Sequence, residues 1–276
     1  MVKKILSFIV AIAAGTAVVS GAAFAALSYS GSSTIGMGIL VAGALQAFEE
    51  KTRIRFTSID MSGSGKGVRA LQNGKVSIAG VSRSLSSKEK GQDLIGTVIG
   101  YDAIAVFVHS NNPVGGLSKE QLTGIFTGRI RNWKQVGGKN APIEPNTEIA
   151  GEGRATMLAF QEMAMDNAPY GGGFKQIDFP SDQIVETAKN ENAVCTVSMG
   201  LLSQLTPYMR GKVKVLGVNG VWLHETSIVS GSYLIARPLL LVTKGKPKGE
   251  AKQFIDFMLS PEGQQLVRKN FVRVKQ

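Results

Sequence analysis

The chain has 276 residues, of which 43% are apolar and 18% charged, with 33 glycines, 9 prolines and a single cysteine, Cys195. That balance excludes collagen-like, disulfide-stapled and disordered chains and leaves a globular protein of one large or two modest domains. Lys and Arg total 31 against 20 Asp and Glu, and the formal charge of +11 favours anionic partners without naming them.

Residues 1–25 open with Lys3 and Lys4, continue through an apolar run from Ile5 to Val19, and reach Ala23-Phe24-Ala25 before Ala26. This is the layout of a secretory signal peptide. The alternative is an uncleaved anchor, but Gly15, Thr16, Ser20 and Gly21 leave the run short of the roughly 20 strongly apolar residues that a span needs. Cleavage is therefore expected, and losing Lys3 and Lys4 lowers the charge from +11 to +9. The mature protein is expected in the periplasm, where the lack of ATP favours binding, hydrolysis or structural roles over phosphoryl transfer.

After the leader, Ser30 to Thr34 precedes Ile39, Leu40, Leu45 and Phe48, a helix with a Ser/Thr cap that ends at Glu49-Glu50-Lys51. Ile54 and Phe56 alternate with polar neighbours in a short strand from Arg53 to Ile59. Ser62 to Gly67 turns into a second helix near Val68 to Gln72, and Val76 to Val81 reads as a buried strand. Thr97 to His109 reads as a longer buried strand, closed by a turn at Asn111-Asn112-Pro113. A second unit follows, with a helix from Ser118 to Phe126, a turn at Trp133, a strand from Ile143 to Ile149 and a helix from Arg154 to Met165. Short strands near Val194 and Val213, an apolar strand from Tyr233 to Thr243, and two helices between Lys248 and Asn270 split at Ser260-Pro261 complete the chain. Strands alternating with helices predict α/β layers with mostly parallel sheets, whose ligands sit where a strand ends and a helix begins.

Three such loops share one chemistry: Gly31-Ser32-Ser33-Thr34, Ser62-Gly63-Ser64-Gly65-Lys66-Gly67 and Gly151-Glu152-Gly153-Arg154-Ala155-Thr156. Each puts glycine and hydroxyls at a helix start, where unpaired N–H groups and the positive end of the helix dipole attract anions. Ordinary N-capping would use the same residues at any one loop. Ser82-Arg83-Ser84 adds donors, and Arg83 and Arg154 are candidate guanidinium partners for an oxyanion or, equally, surface or ion-paired arginines.

Enzyme signatures are weaker. A phosphate-loop match fails at Asp60 and Gly67, the two ends that the motif fixes. Ser87-Lys88-Glu89-Lys90 reads as a solvated helix start rather than a penicillin-interacting motif. His109 and His224 lie far apart without metal-ligand spacing, and Cys195 reads as a small buried residue. No catalytic residue, metal or cofactor is expected.

Taken together, Gly31 to Thr34, Ser62 to Leu71, Val81-Ser82-Arg83 and Tyr101 to Val106 resemble the phosphate-binding proteins of bacterial ABC importers. So do Leu117 to Leu122, Ile125 to Ile130 with Asn132-Trp133, Ser230 to Tyr233, Ala236-Arg237-Pro238-Leu239 and Phe254 to Gln264. The resemblance implies an α/β, two-lobed type II periplasmic binding protein fold with a ligand cleft between the lobes. Residues 27–107 and 225–276 would form the first lobe and 108–224 the second. It also implies that Ser33, Thr34, Ser64 and Ser82 from one lobe and Thr156 from the other grip a small oxyanion, most simply phosphate. An ABC permease in the inner membrane is the implied partner, a monomer is expected, and dispersed basic residues with export argue against nucleic acid.

Two departures stand out. Many relatives read Arg at position 150 and Ser at 154, where this chain has Ala150 and Arg154, and Val194-Cys195-Thr196 replaces a common Ile-Gly-Tyr. Some relatives place Asp where Ser82 stands; Asp102 or Glu152 would substitute as a proton acceptor only by pointing into the cleft. A non-transport sensory or surface-assembly module with an altered or lost anion site is the alternative; an exported phosphatase ranks third.

Overall fold

The computed structural model describes residues 26–149 and 155–274. The expected leader and residues Ala150, Gly151, Glu152, Gly153 and Arg154 lie outside the described residues.

In chain order the first elements are β1 (Ala26–Gly31), α1 (Ser33–Ile35), a π-type segment (Gly36–Ala44), α2 (Leu45–Thr52), β2 (Arg55–Asp60), α3 (Ser64–Gln72), β3 (Ile78–Val81) and α4 (Ser87–Lys90). Strand β4 (Leu94–His109) leads to β5 (Gly116–Leu117), α5 (Lys119–Phe126), a 3-10 turn (Trp133–Val136), β6 (Glu144–Glu148) and α6 (Ala155–Met165). Next come β7 (Lys175–Ile177), α7 (Pro180–Lys189), β8 (Ala193–Ser198), a second 3-10 turn (Met199–Gln204), α8 (Pro207–Lys212), β9 (Val213–Val215) and β10 (Gly217–Val218). The chain closes with α9 (Glu225–Val229), β11 (Ala236–Lys244), α10 (Gly249–Leu259), α11 (Pro261–Arg268) and β12 (Val272–Arg273).

The strand order β2-β1-β3-β11-β4-β8-β6-β7 corrects the expectation of mostly parallel pairing. β1 is parallel to β2 and β3, and β6 is parallel to β7 and β8. At the centre, β11 runs antiparallel to β3 and β4, and β4 antiparallel to β8 and β9. Apolar runs mark burial, not direction, so the reversal of the two long strands left no trace in the pattern. β4 pairs with β11 from Leu94 to Ala103 and with β8 from Ile104 to Val108, so one strand serves both halves of the sheet.

The first half packs Leu27, Ile39, Leu40 and Ile78 with Phe48, Phe254 and Phe257. Phe48 meets Phe254 edge-on at 5.0 Å between ring centroids, a favoured aromatic geometry. Each such ring contributes roughly 1.5–3 kcal/mol by leaving water. The second half packs Phe126, Trp133, Phe160 and Ile104 with Ile228, Tyr233 and Ile235, so α9 and the turn before β11 join this cluster.

Local signals explain the boundaries. The first helix bends at Gly43, whose φ of 135° interrupts an otherwise helical run. Ser118 and Gln121 form a reciprocal capping box at α5. Pro261 at the first turn, with Ser260 as cap, separates α10 from α11 where the sequence places the break. At α4 the Ser87-Lys88-Glu89-Lys90 segment is a helical turn capped by Ser86, with Glu89 completing the box.

Candidate functional site

Three parallel strands end side by side, and their loops meet. Gly31 ends β1, Asp60 ends β2 and Val81 ends β3, so the segments after them occupy one edge of the sheet. Glycines permit the close approach. A Cβ on Gly67 would lie 2.3 Å from the Ser30 carbonyl oxygen, and one on Gly31 would lie 2.2 Å from that of Gly80. Backbone bonds from Ser32 N to Gly80 O and from Gly63 N to Gly31 O, both 2.8 Å, tie the loops together.

The hydroxyls form a buried chain. Ser32 Oγ donates to Ser82 Oγ at 3.0 Å, and Ser64 Oγ accepts from Ser82 N at 3.2 Å. Ser32, rather than Ser33, caps α1, accepting from Thr34 N and Ile35 N, because its extended backbone turns the side chain onto the helix end. Ser33 itself is exposed on the first turn. Ser64 and Ser82 are buried, and Gly63, which precedes α3, has no side chain to cap its first N–H groups. Asp60 stands at the rim, where hydrogen bonds from Ser62 and Ser30 hold its carboxyl below the ordinary range.

At the centre lies Arg237. It is 1% exposed and pairs with fully buried Asp102, donating from Nε at 3.0 Å and Nη2 at 2.8 Å to Oδ2. Ser198, at the end of β8, donates to Asp102 Oδ1 at 2.8 Å. Nη2 also reaches Thr156 Oγ1 at 3.0 Å and Thr34 Oγ1 at 3.5 Å. The first turns of α1 and α6, carried by opposite halves of the sheet, thus converge on one guanidinium. Its Nη1 is buried without a hydrogen-bond partner among the described residues. A buried cationic donor with nothing to bond is costly, and an anion at that point would satisfy it.

The structure therefore gathers Thr34, Ser64, Ser82 and Thr156 around these loops and pairs Arg83 with Glu89. The Arg83 guanidinium makes a two-pronged pair with Glu89, both contacts 2.8 Å, which raises the arginine's pKa and lowers that of Glu89 to about 2. Arg154 lies outside the described residues. Cys195 packs under α7, and burial pushes its thiol up to about 12, in keeping with an inert core residue. His109 Nδ1 accepts from Asn111 N, and no metal-binding cluster of His, Cys, Asp and Glu occurs among the described residues.

Sequence reasoning missed Arg237 and Ser198 as site residues and weighed Asp102 only as a possible acceptor. A signal existed: Arg237 is the sole charge between Tyr233 and Thr243, and Asp102 the sole formal charge between Thr97 and His109. Two lone opposite charges in two buried strands predict a pair.

Two α/β halves sharing long central strands, with helix starts from both facing a buried arginine, define the architecture of a type II periplasmic binding protein. A family model described as the PBP superfamily domain matches residues 17–262. The phosphate-binding protein PstS of Bacillus subtilis (strain 168) is 30% identical over 247 residues, covering 87% of this chain and 77% of that protein. PstS of Borreliella burgdorferi is 29% identical over 229 residues, covering 78% of this chain and 79% of that protein. Among solved structures, a phosphate ABC transporter substrate-binding protein from Clostridium perfringens with bound phosphate shares 31% identity and superposes with a TM-score of 0.76. That match covers 91% of this chain and 100% of the other. The chain belongs to the PBP superfamily and, within it, to the family of PstS-like phosphate-binding proteins.

Proposed function

We propose that this protein is an exported solute-binding protein that captures inorganic phosphate between two lobes and presents it to an ABC permease in the inner membrane. The observation that supports this reading most is the buried Arg237 with its unpartnered Nη1, flanked by Thr34 and Thr156 from the two halves of the sheet. An anion on Nη1 contacts donors from both halves at once, so it stabilises the closed arrangement over an open one. In this reading the anion is held by Arg237, Thr34, Ser64, Ser82 and Thr156. In this reading residues 27–107 with 225–276 form one lobe and 108–224 the other, joined through β4, which changes partners after Ala103, and through the segment leading into β11. No covalent chemistry is required, and the protein works as a monomer in the periplasm.

The test is calorimetric titration of the purified protein with phosphate, alongside a thermal-shift screen of anions, since a ligand bound only by the native form raises its apparent stability. Saturable binding of one phosphate per chain is expected. The second reading, a non-transport module on the same scaffold, draws on Ala150 and Arg154 and predicts no response to any anion.

A further inference from the structure

We propose that the margin of the sheet opposite the anion loops is a docking face for an anionic phospholipid surface. The inference does not depend on which anion is captured, because it uses the other ends of the same strands. Gly31, Asp60 and Val81 lead from β1, β2 and β3 into the anion loops, so the starts of these strands lie at the far margin. β11 runs antiparallel to β3 and β4, and its end at Lys244, opposite Leu94, reaches that margin too. There a hollow of about 510 Å³ opens between the start of β1, the turn after α3 and the loop from β11 to α10, lined by Ala26, Gly74, Ser77, Lys244, Lys246 and Lys248.

Lys75 stands in the same turn after α3, and Arg55 pairs with Ala26 in the β1–β2 register. All five cations are exposed, and none forms an ion pair among the described residues. The acids beside the lysine loop are Asp93, whose carbonyl oxygen accepts from Gly245 N at 2.7 Å, and Glu250 in the first turn of α10. That bond and the turn at Gly245, with φ of 70°, pin the loop to the sheet, so its charges are held together before any partner arrives. The hollow is poorly equipped to orient one small anion, because the Ser77 hydroxyl is already engaged with Ser28. A bilayer needs no such orientation: each lysine near an anionic surface adds its own attraction. Ala26 is also the residue that follows the expected leader. Kept, the apolar run from Ile5 to Val19 would hold this face to a bilayer; cut, it leaves a new α-ammonium group in the hollow. A molecule docked by this margin keeps its anion loops on the side away from the lipid.

The experiment sediments the purified protein with vesicles of phosphatidylglycerol and phosphatidylcholine in equal parts, and with vesicles of phosphatidylcholine alone. A retained leader inserts into both alike, so the ratio of the two affinities isolates charge. At low salt a ratio of at least about tenfold in favour of the anionic vesicles is expected, and about 1 M sodium chloride, which shortens the Debye length to about 3 Å, is expected to erase it. The combined variant Lys244→Glu, Lys246→Glu, Lys248→Glu is expected to bring the low-salt ratio close to one. A control with the same change in net charge, Lys134→Glu, Lys189→Glu, Lys269→Glu, alters three exposed lysines elsewhere and is expected to keep the ratio. Thermal melts check that each variant is folded, and Lys244→Gln, Lys246→Gln, Lys248→Gln takes the place of the loop variant if it is not. Equal binding of the parent to both vesicles, a ratio kept by the loop variant, or an equal fall in loop variant and control overturns the proposal.

Discussion

Arg237 stands directly across the β4–β11 ladder from Asp102, and the same guanidinium nitrogen that grips this carboxylate touches Thr34 from one half and Thr156 from the other. One side chain therefore neutralises a buried charge, bridges two helix starts and retains a free donor face.

Arg237→Met is expected to abolish anion binding and to cost about 3–5 kcal/mol of stability, because Asp102 is left buried without its counter-charge. Adding Asp102→Leu removes that orphaned charge and restores most of the stability without restoring binding. Urea unfolding and calorimetric titration of the two variants check both halves of the statement.

Thr34→Val and Thr156→Val each keep the side chain's shape and delete its hydroxyl. Losing one hydrogen bond to a charged group weakens anion affinity by roughly 1.5–3 kcal/mol. The larger loss is expected at Thr156, whose contact with Arg237 is 3.0 Å against 3.5 Å for Thr34. Melting temperatures should barely move; a Thr34 variant that unfolds would mark that residue as purely structural.

Gly67 and Gly65 occupy the same helix but different surroundings. A Cβ at Gly67 meets the Ser30 backbone at 2.3 Å, whereas at Gly65 the nearest heavy atom is Arg69 Nη1 at 3.8 Å. Gly67→Ala is expected to destabilise by about 1–3 kcal/mol as α3 is pushed off β1, and to weaken anion binding with it. Gly65→Ala should leave stability unchanged or raise it by up to ~1 kcal/mol through helix propensity. Parallel thermal melts decide between these outcomes.

The Glu89 carboxyl, held at about 2 chiefly by its hydrogen bond with Arg83, lies below its ordinary 4.5. A depressed acid stabilises the fold above its unfolded value and loses that contribution as pH falls from 4.5 toward about 2. Replacing Arg83 with Gln should therefore lower stability at neutral pH, modestly because the pair is partly solvated, and flatten the acid limb of the stability curve in that window, the variant and the parent converging toward pH 2. Urea midpoints measured across the acid range test it.

Much of this architecture was legible because its signals are local. The Ser118 box, the Ser260-Pro261 break and the Gly-and-hydroxyl loops each act within a single helical turn, so residue type and spacing announce them. The Arg237 pair was not legible by such rules, because it joins residues 135 apart through an antiparallel register that no window of sequence contains. Strand β1 passed unread although Leu27 and Tyr29 alternate with Ser28 and Ser30, because the alternation is only four residues long and directly follows the apolar run of the expected leader. The choice of Ser32 over Ser33 as cap depended on one residue's backbone angles, which two adjacent serines do not distinguish.

The outermost strands carry a consequence for life at high concentration. β2 borders the sheet with Arg55, Thr57, Ser58 and Asp60 facing solvent, and at the opposite border β7 is only three residues long with Lys175 and Gln176 outward. Charge on one margin and brevity on the other deny a neighbouring copy a template for strand addition. Molecules crowded into a narrow compartment can therefore collide at these borders without zipping into fibrils.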